Sequence, residues 1–291
     1  MKKVAIILIN YNQYVLTKEC IKSIRNSTYV DYEIVVVDNN SVDDSVEKLR
    51  KLTDEIVLIE SKENLGFSYG CNIGIKYAEN NGFDYVLLLN NDTEIDSKMI
   101  ENLINNIEKN VVCVPKMYYY DSGKIWYAGG IINRNKGNAQ HIGIGKDDCE
   151  LYSKDKIVNF ATGCCILIPI NIIKKVGYLD EKYFMYCEDL DYSLRLVEKK
   201  IKIKYIASAT LRHKVGSSSG KKSKLNVYYS TRNRLYILNK YKFGILAKIY
   251  TYTTRYIRLF LSLFKKDDNN KYIRKGIEDF KKNIMGKVEI I

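Results

Sequence analysis

The sequence has little proline, histidine or tryptophan: of its 291 residues 2 are Pro, 2 are His and 1 is Trp. So little proline excludes a Pro-rich linker or stalk. The seven cysteines are an odd number and none forms a Cys-x-x-Cys pair, although Cys164 and Cys165 are adjacent. This pattern argues against a disulfide framework and against a structural zinc site, and it favours a reducing compartment.

Long apolar runs are also absent. The apolar run near the N-terminus ends at Asn10 without a small-residue cleavage site, so it predicts a first strand rather than a signal peptide. The stretch 249–264 is interrupted by Arg255 and Arg258, which makes it too short and too charged to span a bilayer. Hydrophobic residues form 46% of the chain and charged residues 28%, so an ordinary globular core of one large or two small domains is expected.

Charge is divided unevenly along the chain. Residues 1–198 contain 23 Lys or Arg against 29 Asp or Glu, a net charge of −6, whereas 199–291 contain 24 against 5, a net charge of +19. The basic part predicts an anionic partner, which would be a membrane surface, a phosphorylated substrate or nucleic acid. A solvated basic surface explains the same charge equally well.

Apolar runs alternate with amphipathic stretches through much of the chain. Short apolar runs predict strands at 4–9, 33–37, 56–59, 85–89, 111–114, 165–169 and 201–206. The stretches between them predict helices, including one from near Ser68 to Glu79 and one that Ser41 caps. This order predicts an α/β fold with a mostly parallel sheet covered on both faces. An irregular segment or small hairpin is expected at 116–160, and basic helices from about Lys224 onward.

Polar clusters follow four of the predicted strands. They are Asn10-Tyr11-Asn12, Asp38-Asn39-Asn40, Asn64-Leu65-Gly66-Phe67 and Asn90-Asn91-Asp92. Each cluster alone is ordinary turn chemistry. Ligands of open α/β sheets bind outside the carboxyl ends of the strands, so the four clusters together predict one composite ligand site.

The glycine motifs of common nucleotide sites are missing. The first strand is followed by NYNQY rather than G-x-G-x-x-G, and no G-x-x-x-x-G-K-[ST] loop is present. Gly66, Gly70 and Gly74 recur at four-residue spacing. They predict either a close contact between a helix and the sheet or a backbone that a nucleotide approaches closely.

Two further groups of residues carry chemistry. A carboxylate at Asp92 beside Asn90 suits a hard divalent cation that also binds phosphates. His213 follows the strand 201–206 in a Gly/Ser-rich stretch, where it is either a satisfied polar residue or a metal ligand. Three acidic residues at 188, 189 and 191 open a predicted helix, which its dipole favours, or they supply a general base whose pKa their crowding raises.

In order and spacing, these motifs resemble the family 2 inverting glycosyltransferases of the GT-A fold, in the rhamnosyltransferase-like branch. The resemblance covers roughly residues 3–240 and rests on VAIILINYN, VVVDNNSVDDS, ENLGFSYGCNIG, LLLNNDTEID, ATGCCILIP, GYLDEKYFMYCEDLDYSLRL, the late His213 and YYSTRNRLYIL. It implies a GT-A catalytic domain at 1–223 with a nucleotide-binding sheet, followed by a basic helical extension at 224–291.

The resemblance implies a nucleotide site assembled from several strand ends. Some of its residues resemble those that hold the base and ribose, others the loop along the nucleotide, and two precede the metal ligand. They are Asn10, Asn12, Asp38, Asn64, Gly66, Asn72, Asn90 and Asn91.

The resemblance also implies a metal and a base. Asp92 resembles the last residue of the D-x-D motif, which binds Mn²⁺ or Mg²⁺ on the donor diphosphate, and His213 resembles the histidine that completes that shell in several members. Asn90 replaces the first acidic residue of the motif, which leaves one carboxylate there. Glu188 and Asp189 resemble the E-D motif, whose Asp is the usual general base.

The remaining assignments concern the sugar and the acceptor. Gly163 and Cys164 lie where the family positions the donor sugar and the acceptor, and we assign Asp191 and Arg232 to the same side. Arg232 with Asn233 also matches a C-terminal R-N motif.

The predicted reaction is a metal-assisted single displacement from a nucleotide-diphosphate sugar, dTDP- or UDP-linked, to a hydroxyl of a glycan or lipid-linked glycan. Two other classes of protein are alternatives to this prediction. A sugar-phosphate nucleotidyltransferase should have a Gly-rich turn with a basic residue after the first strand, and NYNQY is neither. A nucleic-acid-binding protein would explain the basic half but not the acidic half, so no nucleic acid partner is expected.

The basic tail has two interpretations. Its mixture of Arg, Lys and aromatic residues predicts a helix that contacts an anionic membrane from the cytoplasmic side. It equally predicts a helix that packs on the catalytic domain or on a second subunit, as in a homodimer.

Overall fold

The computed structural model describes residues 2–215, 224–264 and 269–289; of residues 262–264 and 269 it describes the backbone alone. The predicted domain boundary lies after residue 223, at the end of the segment 216–223. This segment lies outside the described residues. The division of the chain at that point therefore stays a prediction.

Apolar runs of the sequence form most of the strands. The strands are β1 Val4–Asn10, β2 Tyr32–Asp38, β3 Val57–Glu60, β4 Tyr85–Leu89, β5 Thr93–Ile95, β6 Val111–Tyr119, β7 Ile125–Tyr127, β8 Gly130–Asn133, β9 Asn138–His141, β10 Lys156–Val158, β11 Cys165–Pro169 and β12 Lys202–His213. The segment 116–160 thus contains short strands and the β8–β9 hairpin. Of the two structures expected there, the small hairpin is confirmed.

Amphipathic stretches form the helices. They are α1 Tyr14–Arg25, α2 Ser45–Arg50, α3 Phe67–Asn80, α4 Met99–Asn105, α5 Ile170–Val176, α6 Glu188–Glu198, α7 Lys224–Lys240, α8 Ile245–Phe264 and α9 Asn269–Lys281. Among the described residues, no helix is both long enough and apolar enough to cross a membrane.

One large sheet organises the fold. Its strand order is β10-β12-β6-β11-β4-β1-β2-β3, with β5 beside β12 and β7 beside β6. The predicted parallel arrangement holds for β4-β1-β2-β3 and for β6 with β12. Because β11 runs antiparallel to both β4 and β6, the sheet as a whole is mixed. Helices flank this sheet, and the α/β fold predicted from the sequence is confirmed.

Two glycines let α3 approach β1 closely. A Cβ atom at Gly74 would lie 2.5 Å from Cγ2 of Ile7, and one at Gly70 would lie 3.2 Å from the side chain of Ile9. A side chain at either position would push α3 away from the sheet. The four-residue glycine spacing therefore reflects helix–sheet packing at these two positions.

Two local predictions need correction. The last strand does not end at 206: a register shift between Ile206 and Thr210 is followed by regular pairing up to His213, so this histidine ends a strand instead of lying in a loop. The β-bulge hides the continuation because it breaks the alternation of apolar residues. Ser41 is not a helix cap either, since α2 begins at Ser45 and the Ser41 hydroxyl donates to Asp38 at 2.6 Å.

Candidate active site

The ends of β1 and β2 lie side by side and share a buried polar pair. Asn10 and Asp38 are register partners, and Nδ2 of Asn10 donates to Oδ2 of Asp38 at 2.7 Å. The Ser41 backbone N–H donates to the other carboxylate oxygen at 2.8 Å. Asp38 therefore has a fixed orientation at the carboxyl edge of the sheet, because both of its oxygens accept hydrogen bonds.

A second layer of contacts connects this pair to the fourth strand. The Thr17 hydroxyl donates to Oδ1 of Asn10 at 2.8 Å and accepts from Nδ2 of Asn91 at 2.9 Å. Asn12 is exposed and has a positive φ of 54°, and its Oδ1 accepts the Val42 N–H at 2.8 Å. Asn10 and Asn91, which are 81 positions apart in the sequence, are thus joined into one network through Thr17.

The loop after β3 has a conformation that requires glycine. Gly66 has φ +97°, and a Cβ atom there would lie 2.1 Å from the carbonyl oxygen of Phe184. Nδ2 of Asn39 donates to Oδ1 of Asn64 at 3.0 Å and to the Gly66 carbonyl at 3.1 Å, while the Gly66 N–H also donates to Asn64. These bonds hold the loop against the ends of β1 and β2.

Asp92 and His213 meet at the same edge although they are far apart in the chain. Nε2 of His213 lies 3.1 Å from Oδ1 of Asp92, and both side chains are buried. The meeting follows from strand pairing, because β5 runs antiparallel to β12 with Thr93 directly opposite His213. The sequence-based prediction that these two residues lie together agrees with this geometry.

The pair suits a divalent cation that binds phosphate. A carboxylate oxygen and an imidazole nitrogen are ligands that Mn²⁺ accepts. Neighbouring ligands of an octahedral ion with bonds of about 2.1 Å lie about 3 Å apart, which is close to the observed spacing. In the described part of the chain no third His, Cys, Asp or Glu side chain completes a cluster, so phosphate oxygens and water would supply the remaining ligands.

The single tryptophan packs on this pair. The rings of Trp126 and His213 are 4.4 Å apart between centroids at an interplanar angle of 77°. On its other side Trp126 packs edge-on against His141, whose Nδ1 lies 3.0 Å from the Trp126 carbonyl oxygen. Trp126 therefore restricts the rotation of the His213 ring.

Gly163 and Cys164 connect the metal-binding pair to the acidic motif. The Asn90 N–H donates to the Cys164 carbonyl at 2.8 Å, and the Gly163 N–H donates to Oδ2 of Asp189 at 3.3 Å. The chain segments that carry Asp92 and Asp189 thus both contact this one turn. Asp189 is half-buried and is the second residue of α6.

The two carboxyl groups of the acidic motif have perturbed acidity. Burial, together with the neighbouring charge of Asp189, raises the pKa of Glu188 to about 8. Burial also raises the pKa of Asp189, although the N–H groups of Gly163 and Leu190 donate to it and act in the opposite direction. Oε2 of Glu188 is buried and has no hydrogen-bond partner in the described residues. Burial therefore favours the protonated form of Glu188, while the two N–H donors favour the charged form of Asp189.

The turn that leads into this motif is strained. Phe184, Tyr186 and Cys187 all have positive φ, at 61°, 65° and 74°, although none is glycine. Such strain persists only where neighbouring groups hold it, and it is typical of functional sites. Here Asn233 holds it, since its Nδ2 lies 2.8–2.9 Å from the carbonyl oxygens of residues 183, 185 and 186.

Three residues that the sequence analysis assigned to ligand binding instead form contacts within the protein. Asn72 uses its amide to bind the backbone of Leu179 and the side chain of Glu181. Asp191 has no exposed surface and forms ion pairs with Arg195 and Lys240. These contacts occupy polar atoms that a ligand would need, so neither position supports direct binding.

Arg232 is the third of these residues. It is fully buried, donates to the Gly286 carbonyl at 2.9 Å, and stacks its guanidinium on Tyr229 at 4.9 Å from the ring centroid. Arg232 and Asn233 together join α7 to the strained turn and to the 286 segment. The R-N pair thus has a positioning role in the structure, and the predicted contact of Arg232 with a sugar gains no support.

Several residues of the site were not predicted. Thr17, Ser41 and Trp126 contribute side chains to it, whereas Asn39 belongs to the polar cluster predicted after the second strand. Of these three, only Trp126 carried a signal in the sequence, as the single tryptophan in a segment rich in Gly, Asn and Tyr. The hydroxyl side chains could not be distinguished from ordinary turn and helix residues without the fold.

The site consists of the buried polar strand ends of a mixed sheet, the Asp92–His213 pair and the carboxylate of Asp189. This fold and this site define a GT-A type transferase. The chain belongs to glycosyl transferase family 2, whose family model matches residues 5–177. The family predicted from the sequence motifs is thereby confirmed.

Relatives in other organisms are similar over most of the chain. A low-salt glycan biosynthesis hexosyltransferase, Agl10 of Haloferax volcanii, is 27% identical over 251 residues, which cover 81% of this chain and 75% of the relative. The dTDP-rhamnosyl transferase RfbF of Shigella flexneri is 23% identical over 252 residues, which cover 84% and 83% respectively.

Solved structures share the fold at low identity. The mannosyltransferase PcManGT of Pyrobaculum calidifontis, in complex with GDP-Man and Mn²⁺, has a TM-score of 0.60 at 13% identity, with 95% of this chain and 73% of that chain covered. GalNAc-T7 with UDP, GalNAc and Mn²⁺ also has a TM-score of 0.60, at 12% identity, and here the match covers 85% of this chain but only 54% of that one.

Proposed function

We propose that the chain transfers a sugar from a nucleotide-diphosphate donor to an acceptor hydroxyl, with inversion at the anomeric carbon. The observation that carries this proposal is the convergence of Asp92, His213 and Asp189 at one edge of the sheet. It supports a cation-binding pair and a carboxylate base around the same turn, at Gly163 and Cys164.

The donor nucleotide would lie along the strand ends. Asp38 is buried and held by Asn10 and Ser41, so it would support the edge on which the ribose or base lies, and the loop at Asn64 and Gly66 borders the same edge. The buried Oδ1 of Asn39 has no partner in the described residues and offers an acceptor there as well. Asn12, Asn90 and Asn91 belong to the same proposed nucleotide site.

A divalent cation would be held by Asp92 and His213. When bound, it would neutralise charge on the diphosphate as that group leaves. Asn90 contributes no charge, so one carboxylate and one imidazole would be the protein's share of the ligands. The Mn²⁺ in the two solved relatives supports a divalent cation in this chain, and either Mn²⁺ or Mg²⁺ fits this ligand set.

Asp189 would act as the base. It would accept the proton of the acceptor hydroxyl while the hydroxyl oxygen bonds to the anomeric carbon and the bond from that carbon to the diphosphate oxygen breaks. The weak 3.3 Å bond from Gly163 leaves one carboxylate oxygen available for this transfer. The neutral Glu188 beside it would not compete for the proton, because it already carries one.

The partners of the reaction follow from the relatives and from the basic part of the chain. The name of the Shigella relative supports a dTDP-linked sugar, with a UDP-linked sugar as the other candidate. We propose a glycan or lipid-linked glycan as the acceptor, reached from the cytoplasmic side of an anionic membrane. A homodimer through α7–α9 is the alternative use of the basic helices.

A thermal-shift screen tests the donor proposal. dTDP-, UDP- and GDP-sugars would each be added with Mn²⁺, with Mg²⁺ or with EDTA, and the melting temperature recorded. Stabilisation by one nucleotide class, dependent on the cation, is the expected result. Equal melting temperatures with every nucleotide in the presence of either cation would contradict the proposal.

A further inference from the structure

Three arginines of the C-terminal helices lie close to one another and near the strained turn that leads into Glu188 and Asp189. Arg234 belongs to α7, and Arg255 with Arg258 belongs to α8, where a three-residue spacing puts both on one helix face. Nη2 of Arg234 donates to the carbonyl oxygen of Lys136 in the β8–β9 hairpin at 3.1 Å. The hairpin, α7 and α8 therefore surround this arginine cluster.

Among the described residues, the arginine cluster has no carboxylate partner. Within residues 2–215, 224–264 and 269–289, none of the three arginines forms an ion pair with a carboxylate. The Nε atoms of Arg234 and Arg255 are buried and lack a hydrogen-bond partner among these residues. Burial and repulsion from the other two arginines lower the pKa of Arg255 to about 10, and burial also lowers that of Arg234. Arg234 and Arg255 are partly buried and Arg258 is exposed. Because cations shielded from water are normally paired, the described residues leave this cluster without a counter-anion.

The arginine cluster adjoins the residues proposed to carry out the transfer. Cys187, which directly precedes Glu188 and Asp189, lies near both Arg234 and Arg255. Asn233, the neighbour of Arg234, holds the strained turn at 183–186. An anion bound by the arginines would thus lie next to the turn that leads to the base.

We propose that Arg234, Arg255 and Arg258 bind a phosphate or diphosphate group of the acceptor substrate. This inference rests on the proposed transferase function. Guanidinium groups match phosphate oxygens in pairs, and three of them exceed what a single carboxylate would need. The donor diphosphate has its own proposed position at Asp92 and His213, so the arginines serve a second phosphate.

The phosphate could belong to a soluble molecule or to a lipid. On α8 apolar side chains stand exposed beside the cluster, and Ile249, Ile257 and Phe260 are each at least half exposed. These side chains could contact the hydrocarbon chain of a lipid phosphate. The chemistry recognised by the arginines is the same in both cases.

Calorimetry of inorganic pyrophosphate binding to the full chain in EDTA tests the site without a metal at Asp92. We expect one saturable site in the wild type, and at least about tenfold weaker binding in Arg255→Gln/Arg258→Gln because charge-assisted hydrogen bonds are lost. Lys248→Gln removes an exposed cation from the same helix and should change binding less than twofold. The exposed Arg258→Gln alone keeps the test valid if the double variant fails to fold.

The outcomes test phosphate binding by the arginine cluster independently of the donor site. Asp92→Asn should bind pyrophosphate in EDTA as the wild type does; loss of binding there would place the phosphate at the donor site and overturn the inference. Absence of saturable binding, or equal weakening by Lys248→Gln, would overturn it too. Failure of every nucleotide to bind with a cation would instead contradict the transferase proposal.

A vesicle arm distinguishes the source of the phosphate. Sedimentation would compare phosphatidylcholine vesicles with and without phosphatidic acid. Binding that requires phosphatidic acid and falls at least about tenfold in Arg255→Gln/Arg258→Gln supports a lipid phosphate. Pyrophosphate binding without vesicle binding supports a soluble phosphorylated acceptor.

Discussion

Nε2 of His213 lies 3.1 Å from Oδ1 of Asp92, and this contact joins two strands that the sequence separates widely. It exists because β12 continues past its bulge and pairs with β5, which places His213 opposite Thr93. Trp126 packs on the same imidazole ring and limits its orientation. Strand pairing therefore fixes the pair: His213 ends β12, and Asp92 lies in the turn directly before β5.

Replacing the proposed base should abolish transfer without unfolding the protein. Asp189→Asn keeps the shape of the side chain and should lower the transfer rate by about 10²–10⁴, the usual contribution of a general base. Cation-dependent nucleotide binding and the melting temperature should stay near wild type. Near-normal transfer by Asp189→Asn, together with loss of transfer in a folded Asp191→Asn, would contradict the assignment of the base.

Asp191 should matter for stability. It is fully buried and forms ion pairs with Lys240 at 2.6 Å and Arg195 at 2.9 Å, so Asp191→Asn should lower the free energy of unfolding by about 3 kcal/mol. Asp44→Asn is the control, because Asp44 pairs with Lys48 at the exposed surface, where water weakens such pairs. Chemical denaturation of both variants measures the difference, and equal losses would contradict the structural role of Asp191.

Glu188 should make the protein less stable as pH rises. Its carboxyl keeps a proton up to about pH 8 in the folded state, against about 4.5 when unfolded, so between these values the folded state binds the extra proton. The free energy of unfolding then falls with increasing pH, by up to about 1.4 kcal/mol per unit for one proton. Glu188→Gln should reduce this slope and stabilise the protein above pH 8. Denaturation curves with the same pH slope in both proteins would exclude the raised pKa.

Gly66 should tolerate no side chain. Gly66→Ala places a Cβ atom 2.1 Å from the Phe184 carbonyl oxygen at a φ of +97°. The matched control is Gly82→Ala, where φ is +70° but no atom lies within 4 Å, so that only backbone strain is added. Gly66→Ala should lose about 1–3 kcal/mol more than the control, because the Phe184 turn must move. Equal melting temperatures for the two variants would show that the turn adapts freely.

The parts of the fold with regular periodicity could be predicted from the sequence. β4 and β11 have the predicted bounds, β1 is one residue longer at its C-terminal end, and α3 is one residue longer at each end. Two-sided burial makes such strands continuously apolar, which is a strong local signal. The family motifs then identified the carboxylate–imidazole pair and the acidic motif.

The remaining features depend on contacts that no local pattern encodes. The bulge at 207–209 interrupts the alternation of β12, so the strand seemed to end before His213. Asp191 follows the acidic motif by two residues and looks like part of the site, but only the fold reveals Lys240 of α7 beside it. The arginine cluster likewise requires the packing of α7 against α8.

Quenching of the single tryptophan by Mn²⁺ is the most direct measurement of the cation site. Trp126 contacts His213, so a paramagnetic ion held by Asp92 and His213 would lie close to its indole ring. Titration of Mn²⁺ in the presence of dTDP or UDP should give saturable quenching in the wild type. Asp92→Asn should show none over the same range, because the only carboxylate of the pair is lost. Saturable quenching that is identical in Asp92→Asn, or none in the wild type, would contradict the cation site.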